Sequence, residues 1–255
     1  MIRSMTKEKL TVKIYENRDE MGIAAANDVA EALISLLSQK EEVNMIFAAA
    51  PSQNELYKYL VEKDCIDWHR VNAFNLDDYI GLPADAPQLF ANFLVEHIFS
   101  KLQFKSVNLL QTNTTDAQAE CDRYADLLKK HPTDIACLGI GENGHLAFND
   151  PSVADFEDKY LVKIVELELA CRQQQVNDGC FAALEDVPTH AMTLTMPALL
   201  STNTNYISVV VPASTKADAV YRTLNDEIST ACPSTILRRY SNATLYLDPD
   251  SAKRI

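Results

Sequence analysis

Residues 133–151 read TDIACLGIGENGHLAFNDP, and this stretch indicates both the fold class and the place of the chemistry. Its first six residues are short, apolar and bounded by turn-forming residues, as expected for a buried central strand of an α/β sheet. Three of the six glycines in the chain follow, so backbone freedom for close approach to a ligand is concentrated at this strand end. A histidine and a carboxylate five residues apart complete the pattern of an active-site loop.

Outward from this strand, strand and helix patterns alternate along the chain. This alternation predicts one α/β domain over residues 1–255, Rossmann-like, with a mostly parallel sheet and helices on both faces. The predicted strands are 10–15, 43–49, 71–76, 108–110, 133–138, 160–165, 191–194, 206–211 and 243–247. The predicted helices are 18–39, 52–62, 87–99, 115–130, 197–200, 216–224 and 233–238.

Composition excludes several classes of function. A formal charge of -13 over 255 residues argues against a general nucleic-acid binder, which needs clustered Lys and Arg. The six cysteines form no CxxC pair, so we expect no metal site. We expect reduced thiols in a cytoplasmic protein instead. The N-terminus lacks an apolar signal core, and no apolar run is long enough to cross a membrane.

The glycines of the loop do not predict a dinucleotide cofactor. Gly139, Gly141 and Gly144 have the spacing of the fingerprint, but HLAF does not resemble the small-residue opening of a cofactor helix. We therefore expect no cofactor.

Polar residues follow three of the predicted strands, and ligands of open α/β sheets bind at the carboxyl ends of strands. Asp77 and Asp78 follow the strand at 71–76. Because adjacent carboxylates repel, the fold must hold them in different environments or raise one pKa. The alternative is that one aspartate caps a helix or turn and the other is solvated.

The second strand end is the glycine loop, where Asn143, His145 and Asp150 can do chemistry. A histidine moves protons near neutral pH, and a nearby carboxylate fixes its tautomer. A structural histidine is the alternative. The third end carries Ser52 and Gln53 after AAAP, and Lys216 follows a later strand. Helix amides with a cation could hold a sugar phosphate, although ordinary capping and a surface lysine explain the same residues.

FNLDDYIGL and GIGENGHLAFNDP together closely resemble the two signature segments of the glucosamine-6-phosphate deaminase (isomerase) family, within the wider group that includes 6-phosphogluconolactonases. Weaker similarity covers nearly the whole chain. The resemblance implies a metal-free, cofactor-free cytoplasmic enzyme that opens the ring of an amino-sugar phosphate, isomerises the sugar and releases ammonia. The resemblance leaves open whether the protein is a homo-oligomer and whether it is under allosteric control, because members of the family differ in both.

The resemblance also implies roles for individual residues. Asp77 matches the base that moves a proton from C2 to C1, His145 the histidine that assists ring opening, and Asp150 a glutamate that tunes that histidine. Asn143 lies where members have aspartate or asparagine. The residues implied in substrate binding are Ser52, Gln53, Asp78, Gly141, Gly144, Arg172 and Lys216.

Two departures from the family pattern bear on the substrate. Asp150 is one methylene shorter than glutamate, and the phosphate loop reads AAAPSQN without its usual glycines. Another amino-sugar phosphate therefore stays open as the substrate. The alternatives in function are a lactonase of the same fold, and a sugar-phosphate sensor without catalytic activity.

Overall fold

Eleven strands form two sheets in the computed structural model, which describes residues 1–255. The strands are β1 (Arg3–Lys7), β2 (Leu10–Ile14), β3 (Val43–Phe47), β4 (Val71–Asn75), β5 (Asp77–Tyr79), β6 (Ser106–Asn108), β7 (Ile135–Leu138), β8 (Val162–Glu166), β9 (His190–Leu194), β10 (Tyr206–Val211) and β11 (Ala243–Leu247). The large sheet has the order β1-β2-β11-β10-β7-β3-β4-β6. All its pairs are parallel except β1 with β2.

Helices cover both faces of the large sheet. They are α1 (Arg18–Leu37), α2 (Asn54–Leu60), α3 (Phe90–Leu94, continued by a π turn), α4 (Ala117–Lys130), α5 (Leu169–Asn177), α6 (Met196–Leu199) and α7 (Ala217–Asn225). Successive strand residues enter different cores: in β10, Val209 packs with α4 and α7, and Val210 packs with α1 and α2. Burial on both sides explains why the central strands read as continuous apolar runs.

The small sheet consists of β5, β9 and β8, paired antiparallel. It lies beside the carboxyl end of β4, because only Leu76 separates β4 from β5. Tyr79, Val165 and Ala191 of this sheet contribute to a third core, in which Tyr79 packs on Phe148 from the loop after β7, with ring centroids 5.2 Å apart.

The predicted α/β class with a mostly parallel sheet and helices on both faces is confirmed. Most predicted elements are present within a few residues of their predicted bounds, but β1, β5 and α5 were not predicted. The predicted helix at 87–99 begins only at Phe90, and the segment 233–238 is a 3-10 helix. Among the helices, none combines the length and the apolar character that a membrane crossing requires.

Candidate active site

A cavity of about 300 Å³ opens at the carboxyl ends of four neighbouring parallel strands. The segments that leave β3, β4, β7 and β10 all contribute to its walls, at residues 48–52, 76–77, 139–141 and 212–213. This is the edge of an open α/β sheet at which ligands bind. The volume lies at the lower end of the range for small-molecule pockets.

Asp77 lines this cavity, and its carboxylate makes no hydrogen bond to the protein. The residue is only 5% exposed. Burial, together with the charge of Asp78, raises the pKa of Asp77 well above its usual value. A buried carboxylate without partners in the protein has the properties of a strong general base.

Asp78 has a different environment. Its Oδ1 accepts hydrogen bonds from the backbone N–H groups of Tyr79 and Phe90, and its Oδ2 accepts one from Ala91, each at 2.9 Å. Phe90 and Ala91 form the first turn of α3, so Asp78 satisfies the free donors of that helix. Burial raises the pKa of Asp78 to about 6, and the three hydrogen bonds oppose the rise.

His145 lines the same cavity and is held from two sides. Its Nδ1 lies 2.8 Å from Oδ1 of Asn143 and 3.0 Å from Oδ1 of Asp150, which leaves Nε2 without a protein partner. Gly141 packs on the imidazole so closely that a Cβ there would lie 2.1 to 2.4 Å from three ring atoms. Gly141 therefore makes room for the ring, and Nε2 is the nitrogen available for proton transfer.

Asp150 is completely buried and holds the centre of a hydrogen-bond network. Its Oδ1 accepts from Nδ2 of Asn143 at 2.9 Å, and its Oδ2 accepts from the backbone N–H of Glu168 at 3.1 Å. Burial favours the neutral acid, but these contacts and His145 lower the pKa of Asp150 below its usual value. An ionised Asp150 fixes the tautomer and the orientation of the His145 imidazole. The shorter side chain thus reaches the histidine directly.

Ligand-type atoms of His145, Asp150 and Cys171 lie within 4.8 Å of one another, and all three residues are buried. In principle such a set could hold a soft divalent metal. Here Nδ1 of His145 and both oxygens of Asp150 already take part in hydrogen bonds. The arrangement is that of a network that positions the histidine.

The turn after β3 brings Ser52 to the cavity. Gln53 is buried beneath it, and its Nε2 donates to the carbonyls of Leu138 and Val210 at 3.2 and 3.4 Å. These bonds hold the turn across the ends of β7 and β10. Ser52 Oγ accepts a further hydrogen bond from Nε2 of Gln53 at 3.1 Å, so its own O–H can donate to a ligand.

Lys216 is 6% exposed and lines the cavity from the segment after β10. Burial lowers its pKa, while Asp178 and Glu142 oppose that change. The preceding Ala213 has a φ of 79°, a conformation that non-glycine residues rarely adopt. Its N–H donates to the carboxylate of Asp248, at 3.1 Å to Oδ2, and this contact holds the strained backbone in place.

Several residues implied in binding lie outside the cavity wall. Gln53 and Asp78 support the wall through the hydrogen bonds described above. Gly144, with a φ of 89°, packs against Cys232. Arg172 turns away, and its Nη2 donates to the carbonyls of Leu184 and Val187 at 2.8 and 2.9 Å. These four residues therefore do not line the cavity.

The cavity also contains residues that the sequence did not indicate. Gln174 comes from the unpredicted helix α5, and its Oε1 accepts the N–H of Glu142 at 2.8 Å, closing the glycine loop. Arg18 enters from the first turn of α1. The other such residues are Gln88, Phe90, Phe93, Gln175, Asp178 and Cys180.

Comparison with known proteins shows what the whole chain is similar to. The model of the family described as glucosamine-6-phosphate isomerases/6-phosphogluconolactonase matches residues 16–246. The glucosamine-6-phosphate deaminase of Listeria monocytogenes serotype 4a is 36% identical over 212 residues, which cover 83% of this chain and 87% of that protein. The enzyme of the same name from an Exiguobacterium species is 33% identical over 90% of this chain and 89% of its own length.

Solved structures share the fold over nearly the whole chain. A monomeric glucosamine-6-phosphate deaminase has a TM-score of 0.84 at 26% identity, covering 95% of this chain and 98% of that one. A 6-phosphogluconolactonase from Thermotoga maritima has a TM-score of 0.74 at 19% identity, covering 94% of this chain and 99% of that one. The second likeness shows the common fold alone.

Proposed function

The chain belongs to the family of glucosamine-6-phosphate isomerases and 6-phosphogluconolactonases, and from that premise we propose that it is an amino-sugar-phosphate deaminase. It converts glucosamine 6-phosphate, or a close hexosamine phosphate, and water to the matching ketose phosphate and ammonia. The relatives at 32 to 36% identity carry the name glucosamine-6-phosphate deaminase.

One observation about the site carries the proposal. Asp77 and His145 line one cavity, and each is prepared for a different proton transfer. The carboxylate of Asp77 is buried and has no partner in the protein, whereas His145 is oriented through Nδ1 and presents Nε2. A carbon acid beside a carbonyl needs a fixed carboxylate base, and ring opening needs a separate acid and base.

The chemistry follows from these two groups. His145 takes the proton of the C1 hydroxyl and returns one to the ring oxygen, which breaks the bond between C1 and that oxygen and leaves an open-chain aldehyde. Asp77 then removes the proton from C2 and delivers it to C1, while a second proton passes from the C2 amine to O1, so that the aldehyde becomes an alcohol and C2 becomes an imine. Water adds to the imine carbon, and ammonia leaves.

The supporting residues act on the two proton carriers and on the phosphate. Asp150 and Asn143 keep the imidazole in the tautomer that presents Nε2. Ser52 and Lys216 bind the phosphate. Ser52 donates its O–H, which is free for a ligand, and Lys216 supplies a buried ammonium. Gly141 admits the ring of His145.

Asp77→Asn tests this assignment directly. The amide keeps the shape of the side chain but cannot take the C2 proton, so ammonia release is expected to fall by at least about 1,000-fold. Calorimetric binding of the substrate is expected to change little. A variant that still turns over would move the base to another residue. Wild-type protein that releases no ammonia from any of several hexosamine 6-phosphates would refute the proposed reaction.

The 6-phosphogluconolactonase alternative has weaker support. It rests on structures at 16 to 19% identity, which share the fold only. Hydrolysis of the lactone measured beside ammonia release decides between the two reactions. A sensor would bind the sugar phosphate and release no ammonia.

The surroundings in which the enzyme acts are part of the same proposal. All six cysteines are free thiols, and four of them are buried. Unpaired thiols are typical of a reducing compartment, which supports a cytoplasmic location. The partner is a small phosphorylated amino sugar.

A further inference from the structure

Two cationic side chains line the cavity, and one of them belongs to no segment that the sequence motifs indicate. They are Lys216 and Arg18. Arg172, the arginine expected at the phosphate, is bound to the carbonyls of Leu184 and Val187. The cavity therefore takes its arginine from the beginning of α1.

The packing of α1 on α2 explains how Arg18 reaches the cavity. A Cβ on Gly22 would lie 2.2 Å from Cβ of Glu55, so the two helices approach each other as closely as the glycine permits. Arg18 lies four residues before Gly22, on the same face of α1. This places its guanidinium beside Pro51, in the turn after β3 that carries Ser52. The guanidinium also lies beside Glu55 in the first turn of α2.

The contacts of Arg18 hold its guanidinium and leave donors free. Its Nη2 donates to the carbonyl of Pro51, and its Nε lies 2.7 Å from Oε2 of Glu55. The two atoms of this ion pair are buried but are not aligned as a hydrogen bond. Nη1 has no acceptor in the protein. A guanidinium carries five N–H donors in a planar fork that matches two oxygens of a phosphate.

Glu55 and Asp178 limit the positive charge of this region. Glu55 pairs with Arg18, and Asp178 acts on Lys216. Binding of a phosphate dianion therefore depends strongly on each of the two cations. The site has neither further positive charge nor a glycine-rich loop that could compensate for the loss of one cation.

We propose that Arg18 is the phosphate-recognition residue of this site, binding the substrate phosphate together with Ser52 and Lys216. This inference rests on the proposed function. Arg18 supplies the fork, Ser52 its hydroxyl and Lys216 a point charge. Glu55 orients the guanidinium before the ligand arrives and competes with the phosphate for it.

The experiment compares Arg18→Gln and Arg18→Lys with Arg172→Gln and Glu55→Gln. Loss of a charged hydrogen-bond donor is worth roughly 10- to 100-fold in affinity. For Arg18→Gln we expect KM for glucosamine 6-phosphate, and Ki for inorganic phosphate as a competitive inhibitor, to rise together by about that factor. The change in kcat is expected to be smaller, and Arg18→Lys is expected to be intermediate because it keeps the charge and loses the fork.

The other variants separate binding from folding. Arg172→Gln is expected to lower the thermal midpoint and leave Ki for phosphate unchanged. Glu55→Gln keeps the guanidinium and is expected to bind phosphate more tightly. Unchanged phosphate affinity in both Arg18 variants, or a loss confined to Arg172→Gln, overturns the inference.

Direct calorimetry with inorganic phosphate keeps this test separate from the reaction itself. If the wild-type protein binds phosphate but releases no ammonia, the proposed reaction fails, and loss of phosphate binding in Arg18→Gln still supports the role of Arg18. If the folded wild-type protein binds no phosphate, Arg18 has no such role, whatever reaction the site performs.

Discussion

Gly141→Ala tests whether the position of the His145 imidazole sets the rate. The added methyl would lie 2.1 Å from Cε1 and 2.2 Å from Nε2 of the ring. Carbon atoms in contact are ordinarily about 3.5 Å apart, so the ring must move by more than about 1 Å. A misplacement of 1 Å costs roughly 100-fold in rate.

We therefore expect kcat/KM for ammonia release to fall by about 100-fold, which corresponds to about 2.7 kcal/mol of transition-state stabilisation. Gly139→Ala is the matched control, because a Cβ at Gly139 lies 3.3 Å from Ser52 Oγ and needs a shift of only a few tenths of an ångström. Neither glycine has a positive φ, so backbone strain does not confuse the comparison. Thermal unfolding by circular dichroism monitors folding. If folded Gly141→Ala protein stays within about threefold of wild type, the reasoning about His145 is refuted.

Three further predictions concern the paired carboxylates. The pKa of Asp77 is raised in the folded state, so ionisation of Asp77 lowers the stability of the fold as the pH rises above the unfolded-state pKa of 3.8. Asp77→Asn should therefore raise the thermal midpoint at pH 7 but not at pH 3. The base must be ionised to act, so kcat/KM should rise with pH through that raised pKa, and an acidic limb near 3.8 would contradict this assignment. Asp78→Ala leaves the N–H groups of Tyr79, Phe90 and Ala91 without their acceptor, and should lower unfolding free energy in urea by about 2 kcal/mol; an unchanged midpoint would remove Asp78 as an anchor of α3.

The sequence predicted the central sheet well because its strands are buried on both faces. The segments 206–211 and 243–247 appear with the predicted bounds, since short runs that contain β-branched and aromatic residues between turn residues favour strands. β1 was not predicted, because its residues are mostly exposed and it is held by pairing with β2. α5 reads LACRQQQVN, with no side-chain cap and few apolar positions, and its buried Gln174 ties it to the glycine loop through the N–H of Glu142.

The candidate site was predictable where it is local in sequence. The glycine loop does place His145, Asn143 and Asp150 in one network, over eight residues of chain. Arg18 could not be found in this way, because it lies more than 30 residues before the turn that it contacts. The signal available was Gly22, a glycine inside a strong helix pattern, which usually marks close packing of another element.

The separation of Asp77 from Asp78 depends on three residues of strand that no local pattern predicts. Successive side chains of a strand point to opposite sides, so β5 sends one carboxylate into the cavity and the other to the first turn of α3. β5 exists because it pairs with β9, with Asp77 opposite Thr193. Asn75 fixes the turn before it, since its Nδ2 donates to the carbonyl of Asp77 at 3.1 Å. The sequence allowed this pair to be a catalytic base or a helix cap, and in the structure the two interpretations are compatible. Asp78 caps α3 from one side of the strand. Asp77, on the opposite side, is left free to act as the proposed base.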